Sequence, residues 1–252
     1  MIKIAICGAN GKMGRTLYQC IQERTDCQVI AGIDLQTEAY AYFPIVSAPD
    51  LLPQQPDVII DFSHPSTLPG LLAYGRTTGT PIVFTTTGYS EEQIASIKQV
   101  ASEIPVFFSW NMSLGINLLV ELAKKATVLL GPQFDVEIIE KHHNQKIDAP
   151  SGTALMLANA INEVMPEPYT YVYDRHSRRC KRDKREIGIH AVRGGTIVGE
   201  HEILFAGRDE TITLSHAASS KTVFAVGAVN AAVYLCGKPA GLYDMRNLVA
   251  EA

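Results

Sequence analysis

Up to about residue 110, short runs that are almost wholly apolar alternate with longer stretches whose apolar residues recur every three or four positions. The apolar runs fall at residues 2–7, 29–33, 57–62, 82–85 and 106–108. A strand that is apolar throughout, without polar alternation, is the signature of a parallel sheet covered on both faces. Between the first two runs, Met13, Leu17, Cys20 and Ile21 repeat at helical spacing. Ser90 with Gln93 three residues on reads as a capping box opening a helix through Ile94 and Ile97. Strands and helices in this order predict a Rossmann-type, doubly wound parallel sheet with right-handed crossovers.

The pattern changes after Trp110-Asn111-Met112-Ser113. A long helix follows, with Leu114, Leu118, Leu122 and Ala126 on one stripe, and Gly131-Pro132 stops it. Then come a strand at 136–141, a polar loop, and a helix beginning near Gly152. A charged loop at 174–185 precedes strands at 187–192, 200–205 and 211–215, spaced for an antiparallel sheet. An Ala-rich helix at 223–235 and a short tail at 241–249 end the chain. The expected organisation is α/β. Residues 1–112 and 222–252 form a dinucleotide-binding domain, and 113–221 a smaller α+β domain, with a mixed or antiparallel sheet, for substrate binding and oligomerisation.

Composition narrows the setting. A net charge of −4 argues against nucleic acid as the partner of the whole chain, because phosphate neutralisation needs clustered positive charge. Five cysteines, scattered and without a C-x-x-C pair, suggest neither a disulfide framework nor a metal site. Apolar runs stay below the ~18 residues of a membrane span, and Met1 runs straight into a strand with no leader ahead of it. The expectation is a cytoplasmic protein in a reduced compartment, with no membrane partner.

Two stretches carry chemistry. Gly8-Ala9-Asn10-Gly11-Lys12-Met13-Gly14 joins the first strand to the first helix. Glycines there allow a sharp turn and close approach of a pyrophosphate, and the helix start aims free N–H groups at the anion. The spacing is G-x-x-G-x-x-G, with Asn10 at the usual second glycine. A ligand-free glycine turn is the bland alternative, and the strand–turn–helix setting counts against it. Asp34 lies 20 residues beyond Gly14, at the end of the second strand. A carboxylate there accepts bonds from the adenosine ribose hydroxyls and repels a 2′-phosphate. Because Leu35 follows it, no adjacent arginine offsets that repulsion, which favours NADH over NADPH. Lys12 and Arg15 remain within reach of a phosphate.

The second stretch runs from Glu137 to Ala154, and its polar density after an apolar strand is hard to explain by packing. Adjacent histidines on a strand face opposite ways, so the strand ends near His142 and His143. Histidine titrates near neutral pH and lysine carries a donor proton, so His142, His143 and Lys146 can supply general acid catalysis and attract an anion. Ser151, Gly152 and Thr153, after Pro150, read as a helix N-terminus whose hydroxyls and amides would hold a carboxylate. Each feature alone is ordinarily structural. Their concentration within twelve residues is not.

This stretch resembles the dihydrodipicolinate reductase signature E-[IV]-x-E-x-H-x-x-x-K-x-D-x-P-S-G-T-A, met at every fixed position from Glu137 through Ala154. Thr86-Thr87-Gly88 resembles the family's second cofactor loop, and Asn111, Ser113 and Gly115 its hinge beside the nicotinamide. The run from Val192 through His201 resembles its V-R-x-G-x-[IV]-x-G-x-H segment, and Gly241-Leu242-Tyr243-Asp244-Met245 its closing motif. The likeness covers nearly the whole chain. It implies reduction of 4-hydroxy-tetrahydrodipicolinate to tetrahydrodipicolinate in diaminopimelate and lysine biosynthesis, with hydride from C4 of NADH or NADPH. It implies that His142 is the acid/base residue, that Lys146 is the proton donor, and that His143, Ser151, Gly152 and Thr153 meet a small dicarboxylate substrate. The cofactor would meet Gly8, Ala9, Asn10, Gly11, Lys12, Met13, Asp34, Thr85, Thr86, Thr87, Ser109, Trp110, Asn111 and Met112, and the assembly would be a homotetramer.

The sequence departs from that pattern in places. Asn10 replaces a frequent glycine, Thr85 stands where many members have Gly, Leu35 replaces an arginine of dual-specificity members, and Lys221 sits where some carry Arg. The segment 175–185 holds seven basic residues and does not resemble the family's loop; a mobile solvated loop is expected there. Two rivals are another nicotinamide dehydrogenase, for example one acting on amino acids, and a catalytically silent NAD(H) sensor. The first has no reason to keep His142 through Thr153, and the second would have lost His142 or Lys146.

Overall fold

The apolar runs of the N-terminal half become parallel strands, each buried on both faces. The structure, a computed structural model, describes residues 1–251. In chain order the elements are β1 (Ile2–Cys7), α1 (Lys12–Gln22), β2 (Cys27–Ile33), β3 (Ile45–Val46), β4 (Val58–Asp61), α2 (Leu68–Thr78), β5 (Ile82–Phe84), α3 (Glu91–Val100) and β6 (Pro105–Phe108). There follow α4 (Leu114–Leu130), β7 (Asp135–His142), α5 (Gly152–Glu163), β8 (Thr170–Val172), β9 (Glu186–Arg193), β10 (Gly199–Ala206) and β11 (Thr211–Ala218). The chain closes with α6 (Thr222–Leu235), β12 (Gly241–Tyr243) and α7 (Met245–Ala250). It divides into two compact units, Met1–Leu114 with the chain from Thr222 onward, and Gly115–Lys221.

The first unit is a seven-stranded parallel sheet in the order β12-β6-β5-β4-β1-β2-β3. Side chains alternate across it: Ile4 and Ile6 of β1 join Leu17 of α1 and Ala228 of α6 on one face, while Ala5 and Cys7 join Leu71 of α2 and Ile97 of α3 on the other. After β1 the chain winds one way, to β2 and β3, and from β4 it winds the other way. The carboxyl ends of β1 and β4 therefore border the crevice where open α/β sheets bind ligands. Ser90 caps α3 through the Gln93 amide, with the reciprocal Gln93 bond present, as the sequence predicts. The tail at 241–249 is more than a tail: Gly241–Tyr243 pairs with β6 as a seventh strand.

The second unit is a five-stranded mixed sheet in the order β11-β10-β7-β9-β8. One face carries Val136, Ile138, Ile189, Ile203 and Phe205 against Leu119 and Ala123 of α4 and Leu157 and Ile161 of α5. The expectation of three antiparallel strands holds only for the pair β10–β11. β9 runs parallel to β7, and β10 lies on β7's other side, antiparallel to it. The loop from β9 to β10 crosses the end of β7, where the Gly194 amide donates to the His142 carbonyl at 2.9 Å. Spacing alone cannot tell such a crossing from a hairpin.

The leucine stripe predicted for α4 is not its packed face. Leu118 and Leu122 are 50% and 41% exposed, whereas Ile116, Leu119, Val120 and Ala123 are buried. The helix is apolar on most sides, so periodicity does not select the side that packs. The basic segment departs from expectation too. Arg182 bonds Glu137 at 2.9 Å, Asp135 at 3.1 Å and the carbonyls of Val136 and Glu186, while Arg175 joins Glu137 and Glu186. Half-buried Glu137 would otherwise ionise less readily. Arg182, His190 and Arg175 hold its carboxyl below the usual range. The segment is pinned to β7 by its own charges.

Candidate active site

The candidate cofactor residues all follow carboxyl ends of the parallel strands. Gly8 through Met13 lie after β1, Asp34 after β2, Thr85 through Thr87 after β5, and Ser109 through Met112 after β6. Gly8 takes φ +81°, and a Cβ there would stand 2.4 Å from the Phe62 carbonyl oxygen beyond β4. Gly14 packs α1 onto this turn, since its Cβ would stand 2.2 Å from the Gly8 oxygen. The α1 N-cap, Gly11, has no side chain to cap the helix, and the first turn holds no acidic residue. Lys12 opposes the positive end of the helix. An anion there satisfies the free amides and the lysine together, so these residues fit a dinucleotide's pyrophosphate.

Neighbouring side chains brace this edge. The Asn10 amide donates to Asp34 Oδ2 at 2.9 Å, and the Asn10 side chain donates to the Gln36 and Glu38 carbonyls. Arg15 bonds Asn10 and lies 4.2 Å over the Tyr40 ring. Leu35 is 91% exposed with no cation adjoining it in sequence. Ala9 is buried in the core and Met13 packs against it. Thr85 and Thr86 are buried: Thr85 Oγ1 donates to the Asp61 carbonyl at 2.5 Å, and Thr86 Oγ1 accepts from the Ser63 amide at 3.0 Å. Thr87 is exposed. Asp61, fully buried at the end of β4, accepts from Ser63 and from the Tyr89 hydroxyl at 2.7 Å. Burial pushes its carboxyl above the usual range, and those bonds oppose the shift. Sequence reasoning left Asp61 and Tyr89 without a role. At the far end of the edge, exposed Trp110 meets Phe108 edge-on at 5.3 Å, and the Asn111 side chain accepts from the Ser113 amide.

The second cluster is built at the end of β7. The period of two puts Glu140 and His142 on the same face as Ile138, so the buried apolar face turns polar at its last two positions. His142 Nδ1 lies 2.6 Å from Glu140 Oε2. Glu140 also accepts both arms of Arg193, at 2.7 and 2.8 Å, and the Ser151 amide at 3.0 Å. Burial alone would raise this carboxyl, yet the bonds from Arg193, His142 and Ser151 hold it below the usual range. Ser151 caps α5 by accepting from the Ala154 amide. Beyond the strand, the Lys146 amide donates to the His143 carbonyl, and Lys146 Nζ meets Asp148 Oδ1 at 2.9 Å. That ion pair holds the Asp148 carboxyl below the usual range. Gly152 is exposed and has no atom within 4 Å of where a Cβ would stand.

Sequence reasoning quoted Glu140, Arg193 and His201 inside motifs without giving them roles. Glu140 was detectable from its position two residues before His142. Arg193 and His201 come from β9 and β10, and only sheet pairing brings them here: His142 faces Arg193 across β9, and Glu140 faces His201 across β10. Among the described residues, no group of His, Cys, Asp and Glu is placed to hold a metal ion, and no helix is long and apolar enough to cross a membrane.

Comparison with known proteins covers both units. The family model for the dihydrodipicolinate reductase N-terminus matches residues 2–112, and that for its C-terminus matches residues 115–249. A 4-hydroxy-tetrahydrodipicolinate reductase of Caldanaerobacter subterraneus subsp. tengcongensis is 49% identical over 251 residues, spanning 100% of this chain and 99% of that protein. One of Clostridium tetani is 46% identical over 245 residues, spanning 97% and 96%. Among solved structures, a dipicolinate-bound dihydrodipicolinate reductase from Paenisporosarcina sp. TG-14 superposes with a TM-score of 0.80 at 26% identity, covering 97% of each chain.

Proposed function

The chain belongs to the dihydrodipicolinate reductase family, and from that premise we propose how its residues work. It is an NAD(P)H-dependent oxidoreductase that reduces 4-hydroxy-tetrahydrodipicolinate to tetrahydrodipicolinate, in diaminopimelate and lysine biosynthesis. Replacing the 4-hydroxyl by hydrogen consumes one hydride and one proton and releases one water. The bound nicotinamide supplies the hydride. The protein must supply the proton and hold two carboxylates.

The observation that carries this reading is the gathering of His142 and the α5 N-terminus on buried Glu140, with Lys146 held in the loop between them by Asp148. His142 is the acid, with Lys146 as a second proton donor and cationic partner. The α5 first-turn amides and the hydroxyls of Ser151 and Thr153 take a substrate carboxylate, and His143 lies at its side. The open space at Gly152 admits that carboxylate. In the first unit, Gly8 through Met13 hold the pyrophosphate, Asp34 the adenosine ribose, and the loops at 85–87 and 109–112 the nicotinamide end. Asp34 beside exposed Leu35 favours NADH over NADPH, because no cation adjoins to neutralise a 2′-phosphate. The working form is a cytoplasmic homotetramer.

The test couples the enzyme to a synthase that forms the substrate from pyruvate and aspartate semialdehyde, and follows loss of reduced-nicotinamide absorbance. Oxidation that depends on the synthase supports the reading. Folded, NADH-binding protein that oxidises neither cofactor would refute it.

A further inference from the structure

Glu140 has no exposed surface, and its strand neighbours on the same face are Ile138 and His142. A buried carboxylate is costly unless every lone pair is matched. Here the donors come from three separate segments: His142 at the end of β7, the Ser151 amide at the start of α5, and the fork of Arg193 at the end of β9. The same guanidinium donates to the Asp148 carbonyl at 2.6 Å, which ties down the loop bearing Lys146. His142 Nε2, in contrast, makes no hydrogen bond to the described residues. It lies over Gly199 of β10, where a Cβ would stand 3.1 Å from it.

We propose that Glu140, clamped by Arg193, is the positioning residue for His142: it accepts the Nδ1–H hydrogen bond, fixes the ring, and leaves Nε2 as the nitrogen that exchanges the proton with substrate. This rests on the reading of His142 as the acid. In the charged ring, Nδ1–H points to Glu140 and Nε2–H to the substrate. After transfer the ring is neutral and keeps its proton on Nδ1, and solvent restores the other. The titratable and charged groups around the ring are Glu140 on its own strand, Arg193 on β9, His201 on β10 with His216 of β11 behind it, and Lys146 with its partner Asp148 from the loop. Only Glu140 touches Nδ1. The contact with His142 is one of the causes that hold the Glu140 carboxyl below its usual range.

The test is Glu140→Gln in the full-length enzyme, which keeps the side chain's length and removes its charge. We expect NADH affinity unchanged, substrate KM within a few-fold, and kcat lowered by about 10–100-fold or more, the lower figure being that for carboxylates that orient metal-bound histidines. The alkaline limb of the pH–rate profile should move to lower pH, because a histidine that must be protonated loses its anionic partner. A merely structural carboxylate would lower kcat without moving that limb. Nitrogen NMR of the His142 ring in the unaltered protein reads the tautomer without any substitution. A neutral ring protonated at Nε2 overturns the proposal, as does Glu140→Gln with unaltered kcat and limb. If His142→Ala itself keeps its kcat, the acid assignment fails first, and the two failures are thereby distinguished.

Discussion

His201 Nε2 and Ser151 Oγ lie 3.0 Å apart, joining β10 to the cap of α5. That hydroxyl already accepts from the Ala154 amide, and His201 Nδ1 is buried with no partner. A charged imidazole needs two acceptors, and this ring has at most one. Burial, reinforced by neighbouring His142, accordingly pushes His201 down to about 4.

Stability should follow from this in a definite direction. The unfolded ring takes up its proton near 6.5, the folded ring near 4, so the unfolded state binds more protons in between. The contribution is complete above the unfolded value and is lost as pH falls through the folded one. The loss is on the order of 3 kcal/mol. Urea unfolding at a series of pH values, for the parent and for His201→Gln, measures it. Equal slopes for the two proteins in that window would remove His201 as the cause.

Turnover should depend on His142 and Lys146, and cofactor affinity should not. His142→Ala is expected to lower kcat by about a hundredfold to ten-thousandfold with NADH binding intact, and Lys146→Ala to cripple turnover likewise. Asp148→Asn should do something different. It frees Lys146 from its 2.9 Å ion pair, removing a carboxylate that competes with the substrate's, so KM for substrate should fall a few-fold. An effect of Lys146→Ala confined to NADH affinity would move that residue to the other ligand's site.

Cofactor choice turns on position 35. An arginine there adds a cation beside Asp34, and Leu35→Arg should shift the NADPH-to-NADH ratio of kcat/KM upward about tenfold, worth roughly 1.4 kcal/mol. Steady-state rates with both cofactors decide it, and an unmoved ratio places the 2′-discrimination elsewhere, with Arg15 the next residue to test.

The glycine turn should tolerate no added methyl at Gly14, where a Cβ would meet the Gly8 and Ala9 carbonyl oxygens at 2.2 and 2.7 Å. Backbone must shift to admit it. Gly14→Ala should cost about 1–3 kcal/mol of stability and weaken NADH binding more than substrate binding. Denaturant midpoints and cofactor titration check both, and wild-type affinity in a folded variant would mean that α1 does not face the pyrophosphate.

Local signals decided much of the architecture. A run such as Ile4-Ala5-Ile6 is buried on both sides only in a covered parallel sheet, and glycines at 8, 11 and 14 have few uses other than a tight turn into a helix. The caps at Ser90 and Ser151 are equally local, because hydroxyl and amide lie three residues apart. For the same reason the polar run after Glu137 was legible as a candidate site: side-chain chemistry concentrated at a strand end needs no tertiary knowledge to be noticed.

What the chain's pattern left open was decided by partners distant in sequence. Periodicity says that α4 is a helix, but its apolar residues nearly surround it, and only contact with the sheet selects Leu119 over Leu118. Spacing suited β9, β10 and β11 to an antiparallel sheet, whereas the loop between β9 and β10 passes over the end of β7. That crossing puts Arg193 on one side of Glu140 and His201 on the other, 53 and 61 positions away. The parallel pairing of β9 with β7 turned a basic segment that reads as solvated into a clamp on Glu137 and Asp135. The sequence by itself determined which side chains are present and which face of each strand they take, since both follow from bonded geometry. Which charge meets which was decided by tertiary structure alone, because a buried ion pair forms where the packed sheet leaves its two halves no other partner.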